Sequence, residues 1–244
     1  MPIADNLARV RQRIADAARR AGRRPQDVAL MAVTKTFPPA IIREAYAAEH
    51  RLFGENRVQE FAEKAAQLAD LPGIEFHLIG HLQSNKAAKA AQIFAGIDCV
   101  DSLHLAEKLN GAAGKTGKRL PLLIEINVGG EAAKSGVAPD SSELEALLAA
   151  APRLEHLEFR GLMSIPPFTE DSEASRPFFR TLRELRDQIA GRKLPRVGME
   201  TLSMGMSHDF EIAIEEGSTC VRVGTAIFGP RSDPGWARGE GTET

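Results

Sequence analysis

The strongest constraint on this chain is an alternation: eight short apolar runs of strand length are separated by stretches whose apolar residues recur at helical spacing. The runs fall at residues 28–34, 52–54, 75–79, 99–102, 122–128, 159–165, 201–203 and 220–223. Helical patterns lie between them at 38–49, 55–68, 84–94, 102–110, 142–150 and 178–190. Strands alternating with helices build parallel β-α-β units, because a parallel partner is reached only by a crossover. An open doubly wound sheet and a closed barrel both satisfy that rule. The count of eight and the absence of GxGxxG after the first run favour the barrel. A length of 244 residues, 43% of them hydrophobic, is normal for one such core. The expectation is an α/β fold, a single TIM-type (β/α)8 barrel over residues 1–229 with no second domain. In front of it, Leu7, Val10, Ile14, Ala17 and Ala21 keep helical spacing and predict an extra amphipathic helix. Residues 230–244, rich in glycine and charge, read as a disordered polar tail.

The first run delivers Lys35 to its carboxyl end. Strand alternation puts Lys35 on the side of Met31 and Val33, so its amine can project from inside the sheet toward a ligand. A desolvated amine there is a nucleophile toward a carbonyl carbon. Near the other end of the sequence, the segment 200–214 reads as a strand, a glycine turn and a helix with Phe210, Ala213, Ile214 and Gly217 on one face. Ser207 is the expected N-cap, and the turn amides with Ser203 suit a phosphate. Asp209 and Glu211, in the same first turn, are expected to point outward. A second turn follows the eighth run, where Gly224 permits close approach and Thr225 adds a hydroxyl. Taken singly, each piece reads rather as a strand-ending lysine or an ordinary glycine turn. In barrels, however, phosphate often binds after strands seven and eight.

Other classes find little support. The 33 acidic and 31 basic residues leave a net charge of −2 without a long basic block, so nucleic acid is not an expected partner. No apolar stretch approaches the ~20 residues of a membrane helix, and no secretory signal opens the chain. The reading is a soluble, cytoplasmic protein without a membrane partner. Cys99 and Cys220 fall in strands without CxxC spacing and read as buried thiols. His77 and His81 are four apart, but Gly80 interrupts the helix that such metal spacing needs, so no metal is expected. Gln59 and Glu60 read as a solvated helix face, and Ser84 as the cap of the helix that follows it. Residues 129–136 read as a glycine-rich connector after the fifth strand.

Longer motifs carry a resemblance over nearly the whole chain: Ala32-Val-Thr-Lys35, Phe53-Gly-Glu-Asn-Arg-Val-Gln-Glu60, Phe76-His-Leu-Ile-Gly-His-Leu-Gln-Ser-Asn-Lys86, Gly161-Leu-Met-Ser164, Leu202-Ser-Met-Gly-Met-Ser207 and Val221-Arg-Val-Gly-Thr225. In these the sequence resembles the pyridoxal-phosphate homeostasis proteins, the YggS/PROSC group. The resemblance implies a barrel like the N-terminal domain of alanine racemase. It implies pyridoxal 5′-phosphate (PLP) held as a Schiff base on Lys35, with Ser203, Met204, Gly205, Ser207, Gly224 and Thr225 at the phosphate. It also implies Arg222 facing the pyridine nitrogen, where a cation disfavours ring protonation and weakens the ring as an electron sink. Asn56, His77, Met163 and Ser164 are expected on the same rim, with Asn127 at the end of the fifth strand.

The implied function is intracellular PLP (vitamin B6) homeostasis and amino-acid balance, without a catalytic residue. Apo PLP-dependent enzymes are the implied recipients, and a monomer, or at most a weak dimer, is expected. A single-domain PLP-dependent racemase or lyase stays open, as does a barrel aldolase whose Lys35 takes a sugar phosphate. A racemase needs two acid–base groups. The one tyrosine in the sequence, Tyr46, is predicted on an outer helix.

Overall fold

Eight parallel strands close on themselves in chain order in this computed structural model, which describes residues 2–131 and 135–230. They are β1 (Ala29–Val33), β2 (Leu52–Glu55), β3 (Glu75–Leu78), β4 (Gly96–Val100), β5 (Leu120–Glu125), β6 (Leu157–Met163), β7 (Val197–Ser203) and β8 (Cys220–Val223). Closure is by β1 and β8, in a register that sets Met31 beside Arg222. Paired residues in register share a face. Following the pairs Val33 with Gly54, Gly54 with His77 and His77 with Gly96 traces the inward set around the barrel. Much of the outward set is apolar, and the rings of Phe53, Phe61, Phe76 and Phe94 stack between the sheet and its helices at centroid distances of 4.4–5.3 Å.

The surrounding helices are α1 (Ile3–Arg20), α2 (Pro39–Ala47), α3 (Val58–Ala65), α4 (Ala87–Ile93), α5 (Leu103–Thr116), α6 (Ser142–Ala150), α7 (Arg176–Gly191), α8 (Phe210–Glu215) and α9 (Thr225–Phe228). The N-terminal helix α1 buries Ile3, Leu7, Val10, Ile14, Ala17 and Ala18. Each large apolar side chain among them contributes about 1.5–3 kcal/mol. That stripe packs on α8 and α9. Arg13 pairs with Glu211 through two hydrogen bonds, and Asn6 Nδ2 donates to the Ile227 carbonyl at 2.7 Å.

Several boundaries differ from the sequence expectation, each for a physical reason. β4 begins at Gly96 rather than residue 99, because Asp98, which breaks the apolar run, is a buried partner of His77. Gly96 itself fits only because it lacks a Cβ, which would sit 2.6 Å from the His77 ring. β5 spans 120–125 and ends before Asn127; Ile126 then bridges to Val137. β6 and β7 also start earlier than expected, at Leu157 and Val197. Glycines at 111 and 114 do not end α5, which runs to Thr116; Gly114 makes room for the His156 ring.

Glu55 belongs to β2 instead of opening a helix, and Glu60 is buried rather than solvated. Ser84 opens a short 3-10 turn, and Lys86, not Ser84, holds the cap position of α4. Lys86, in the same turn, donates to Gln59 at 3.0 Å. Among the expectations, the polar tail past Pro230 and residues 132–134 of the connector lie outside the described residues.

Candidate functional site

The carboxyl end of the barrel gathers most of the residues singled out from the sequence. Lys35, half-buried, lies two residues beyond β1, in a turn whose next residue, Thr36, adopts φ +70°. Val33, on the inward face of the same strand, lies against the turn after β8: a Cβ built on Gly224 would be 3.3 Å from its carbonyl.

The turns after β7 and β8 are stitched together. Arg222 N donates to the Gly205 carbonyl at 3.0 Å, and Gly224 N donates to Ser207 Oγ at 3.3 Å. Gly205 sits at φ +93°, a conformation that favours glycine. Thr225 opens α9 at an exposed position, where a first-turn amide has no intrahelical acceptor.

Two expectations about these turns are corrected. Ser207 does not cap α8; its hydroxyl serves the neighbouring turn, and Asp209 occupies the cap position. Asp209 does not point outward either. It is buried and accepts the Met206 amide at 2.7 Å, closing the 206–209 turn from inside. Glu211 does face away, toward Arg13. Met204 has its amide on the Cys220 carbonyl, and its own carbonyl accepts Ser218 Oγ, so its backbone is already satisfied.

Arg222 is buried inside the barrel below these turns. Its guanidinium donates to Ser203 Oγ at 2.7 Å and to the Ser164 carbonyl at 2.8 Å. Burial lowers its pKa, and Asp98 and Glu125 oppose that effect. Met163 pairs with Ser203 across β6 and β7. Buried polar atoms at this end lack a hydrogen-bond partner, among them Asn56 Oδ1 and Ser164 Oγ. Buried polar groups are nearly always paired, so orphans at a barrel mouth point to a ligand or ordered water.

Sequence reasoning missed Glu125, the last residue of β5. Its carboxyl is buried, accepts Ser135 Oγ at 2.8 Å and leaves Oε2 unpaired. Burial raises its pKa, against the Ser135 hydrogen bond. The signal was present: Glu125 shares the alternation of Leu123 and so points inward.

His77 is brought to a different place. With Asp98 it lines a cavity of about 210 Å³ bordered by Ala29, Leu52 and Glu75, the first residues of their strands, at the amino end of the barrel. His77 Nδ1 and Asp98 Oδ1 are 2.9 Å apart. Burial disfavours the charged ring, but the Asp98 carboxylate outweighs it and the pKa is raised. A raised pKa gives stability that is complete below the ordinary histidine value of about 6.5 and fades as pH rises through the folded value. His77→Gln is therefore expected to lower Tm more near pH ~6 than near pH ~9. Melting curves across that range check this, and an equal loss at both ends would mean that the charged pair contributes nothing. Among the described residues no group of three or more His, Cys, Asp or Glu could hold a metal ion, and no helix is long and apolar enough to cross a membrane.

A closed parallel barrel with a lysine after its first strand and joined glycine turns after its last two defines a class of protein. Residues 6–232 match the family described as "Alanine racemase, N-terminal domain". The pyridoxal phosphate homeostasis protein of Pseudomonas aeruginosa is 47% identical over 229 residues, covering 94% of this chain and 96% of that protein. The protein of the same name from Aquifex aeolicus is 45% identical over 231 residues, covering 95% and 99%. The chain belongs to the family of pyridoxal phosphate homeostasis proteins. Among solved structures, PipY of Synechococcus elongatus with PLP bound superposes with a TM-score of 0.81 at 40% identity, covering 93% of this chain and all of that one. An alanine racemase of Clostridium difficile, 14% identical with a TM-score of 0.70, covers 96% of this chain and 58% of its own, a likeness of fold alone.

Proposed function

We propose that this protein binds PLP at the carboxyl end of the barrel and serves PLP homeostasis and amino-acid balance, with Lys35 as the point of covalent attachment. The observation that carries the reading is the pair of stitched turns after β7 and β8, next to the strand that leads into Lys35. The residues present fit the group: the orphaned Asn56 Oδ1 and Ser164 Oγ offer hydrogen bonds to a polar ligand. Ser203, Gly205, Ser207, Gly224 and Thr225 would hold the phosphate, with Met204 and Met163 packing behind them. When bound, PLP supplies an aldehyde for a Schiff base and a ring able to hold electrons. Arg222, held by Ser203 and Ser164, keeps a positive charge in the barrel interior and disfavours protonation of a pyridine nitrogen facing it. The relatives, named as pyridoxal phosphate homeostasis proteins, and the PLP bound to PipY support the same ligand.

The role proposed is carriage rather than turnover, by a cytoplasmic monomer that passes PLP to apo-enzymes. Racemisation needs a second acid–base group, and Tyr46 lies on α2 with its hydroxyl on the Pro72 carbonyl. The test is an absorption spectrum of purified protein with added PLP, followed by borohydride reduction and peptide mapping. A visible band abolished by borohydride and a pyridoxyl label on Lys35 are expected, with no conversion of added amino acids at enzymatic rates. Neither band nor label would remove PLP and turn attention to a sugar phosphate.

A further inference from the structure

A buried ionic cluster lies directly behind the backbone of Lys35. Glu55 ends β2, and Glu60 and Lys64 stand four residues apart on α3, so that the three head groups meet under the turn after β1. Lys64 Nζ donates to Glu60 Oε1 at 2.6 Å, to Glu55 Oε1 at 3.0 Å and to the Thr34 carbonyl at 3.1 Å. Thr34 Oγ1 donates to Glu55 Oε1 at 2.9 Å, and the Thr36 amide donates to Glu60 Oε1 at 2.6 Å. Side-chain exposure is 8% for Lys64, 7% for Glu60 and 0% for Glu55.

The residues on both sides of Lys35 are thus tied to one cluster. Thr36 takes a left-handed φ of +70°, unusual for a β-branched residue and kept only where the surroundings over-determine it. Stability alone does not account for the arrangement, because packed apolar side chains often stabilise a core as well as a buried ion pair. Glu55 even leaves Oε2 unpaired, and burial raises its pKa against the opposing effect of Lys64.

We propose that Glu55, Glu60 and Lys64 are positioning residues for Lys35, fixing the backbone at Thr34 and Thr36 and so aiming the Lys35 side chain into the barrel mouth. This rests on the reading of Lys35 as the PLP attachment point. The hydrogen bonds of the cluster run to the two threonines, and it is through them that it would act on Lys35.

The experiment uses the full chain and two readouts. Without PLP, hydrogen exchange of a peptide covering residues 34–37 is expected to be about ten-fold faster in Glu60→Ala, with peptides from β5 and β6 unchanged. Glu60→Gln keeps an acceptor for the Thr36 amide and is expected to exchange more slowly than Glu60→Ala. With PLP and timed borohydride quenching, the pyridoxyl label on Lys35 is expected to build up about ten-fold more slowly in Glu60→Ala and Lys64→Met, with Glu60→Gln recovering most of the rate. Should Glu60→Ala not fold, Lys64→Met and Glu60→Gln carry the comparison against the wild type. The proposal is overturned if folded variants keep wild-type exchange at 34–37 and label Lys35 at the wild-type rate. Faster exchange throughout the barrel would also overturn it, by making the cluster a general stabiliser. If the wild type takes no label at Lys35, the functional reading fails instead, and the exchange comparison alone decides whether the cluster holds the turn.

Discussion

Lys35→Ala is expected to abolish the borohydride-fixed pyridoxyl adduct completely while leaving a folded barrel. The amine is the only part of Lys35 that can form the covalent link, and no shorter side chain at this position replaces it. The stitched turns, with Ser203, Ser207, Gly224 and Thr225, survive the change, so PLP is expected to bind still, but reversibly and with the spectrum of the free aldehyde. Lys35 is half-buried at a strand end, so the cost in folding stability is expected to stay below about 1 kcal/mol. Equilibrium dialysis, absorption spectra and melting curves of both proteins separate the two effects. An adduct of undiminished yield on another lysine would sink the assignment of Lys35.

Gly161→Ala is expected to be the most destabilising single change in the barrel, by more than about 4 kcal/mol. Gly161 pairs with Thr201 across β6 and β7 at φ +153°, and a Cβ there would run into the Thr201 carbonyl oxygen. That obstacle is backbone rather than a flexible side chain, so no rotamer change relieves it. Moving β7 outward would displace Ser203, which pairs with Met163 and holds Arg222. The variant is therefore expected to lose both soluble yield and PLP retention. Urea unfolding of whatever material folds is the check, and a midpoint near that of the wild type would contradict the account.

Much of the fold was legible because a (β/α)8 barrel repeats one pattern. Runs such as 28–34 and 220–223 are mostly apolar and flanked by turns, and their positions survive almost unchanged even with Arg222 inside the second. Legibility failed where a polar residue interrupts the hydropathy that marks a strand. Asp98, buried inside β4, and Glu200, exposed on β7, both do so, and both strands extend further toward the amino end than their apolar runs indicate. The glycine turns and Lys35 were readable in sequence because their residue types are chemically unusual at strand ends. Glu60 was not: a glutamate on a helix ordinarily faces solvent, and only the proximity of Lys64 and the Thr36 amide reveals that this one is buried. Asp209 misled for the same reason, since a short-range hydrogen bond to Met206 outweighs the expected outward orientation.

The closure between β1 and β8, with α1 lying on α8 and α9, has a consequence for synthesis of the protein. The first strand meets one of its two neighbours, and the first helix meets its packing surface, only after roughly 200 further residues have been made. At ribosomal speeds that is a wait of about 10–40 s, during which α1 presents an apolar stripe and β1 an open edge. The turns after β7 and β8 are among the last to emerge, so a nascent chain has Lys35 long before it has those turns. On the proposed reading of the site, cofactor loading is confined to chains finished through α9, and the period of greatest exposure to aggregation is one in which PLP cannot help.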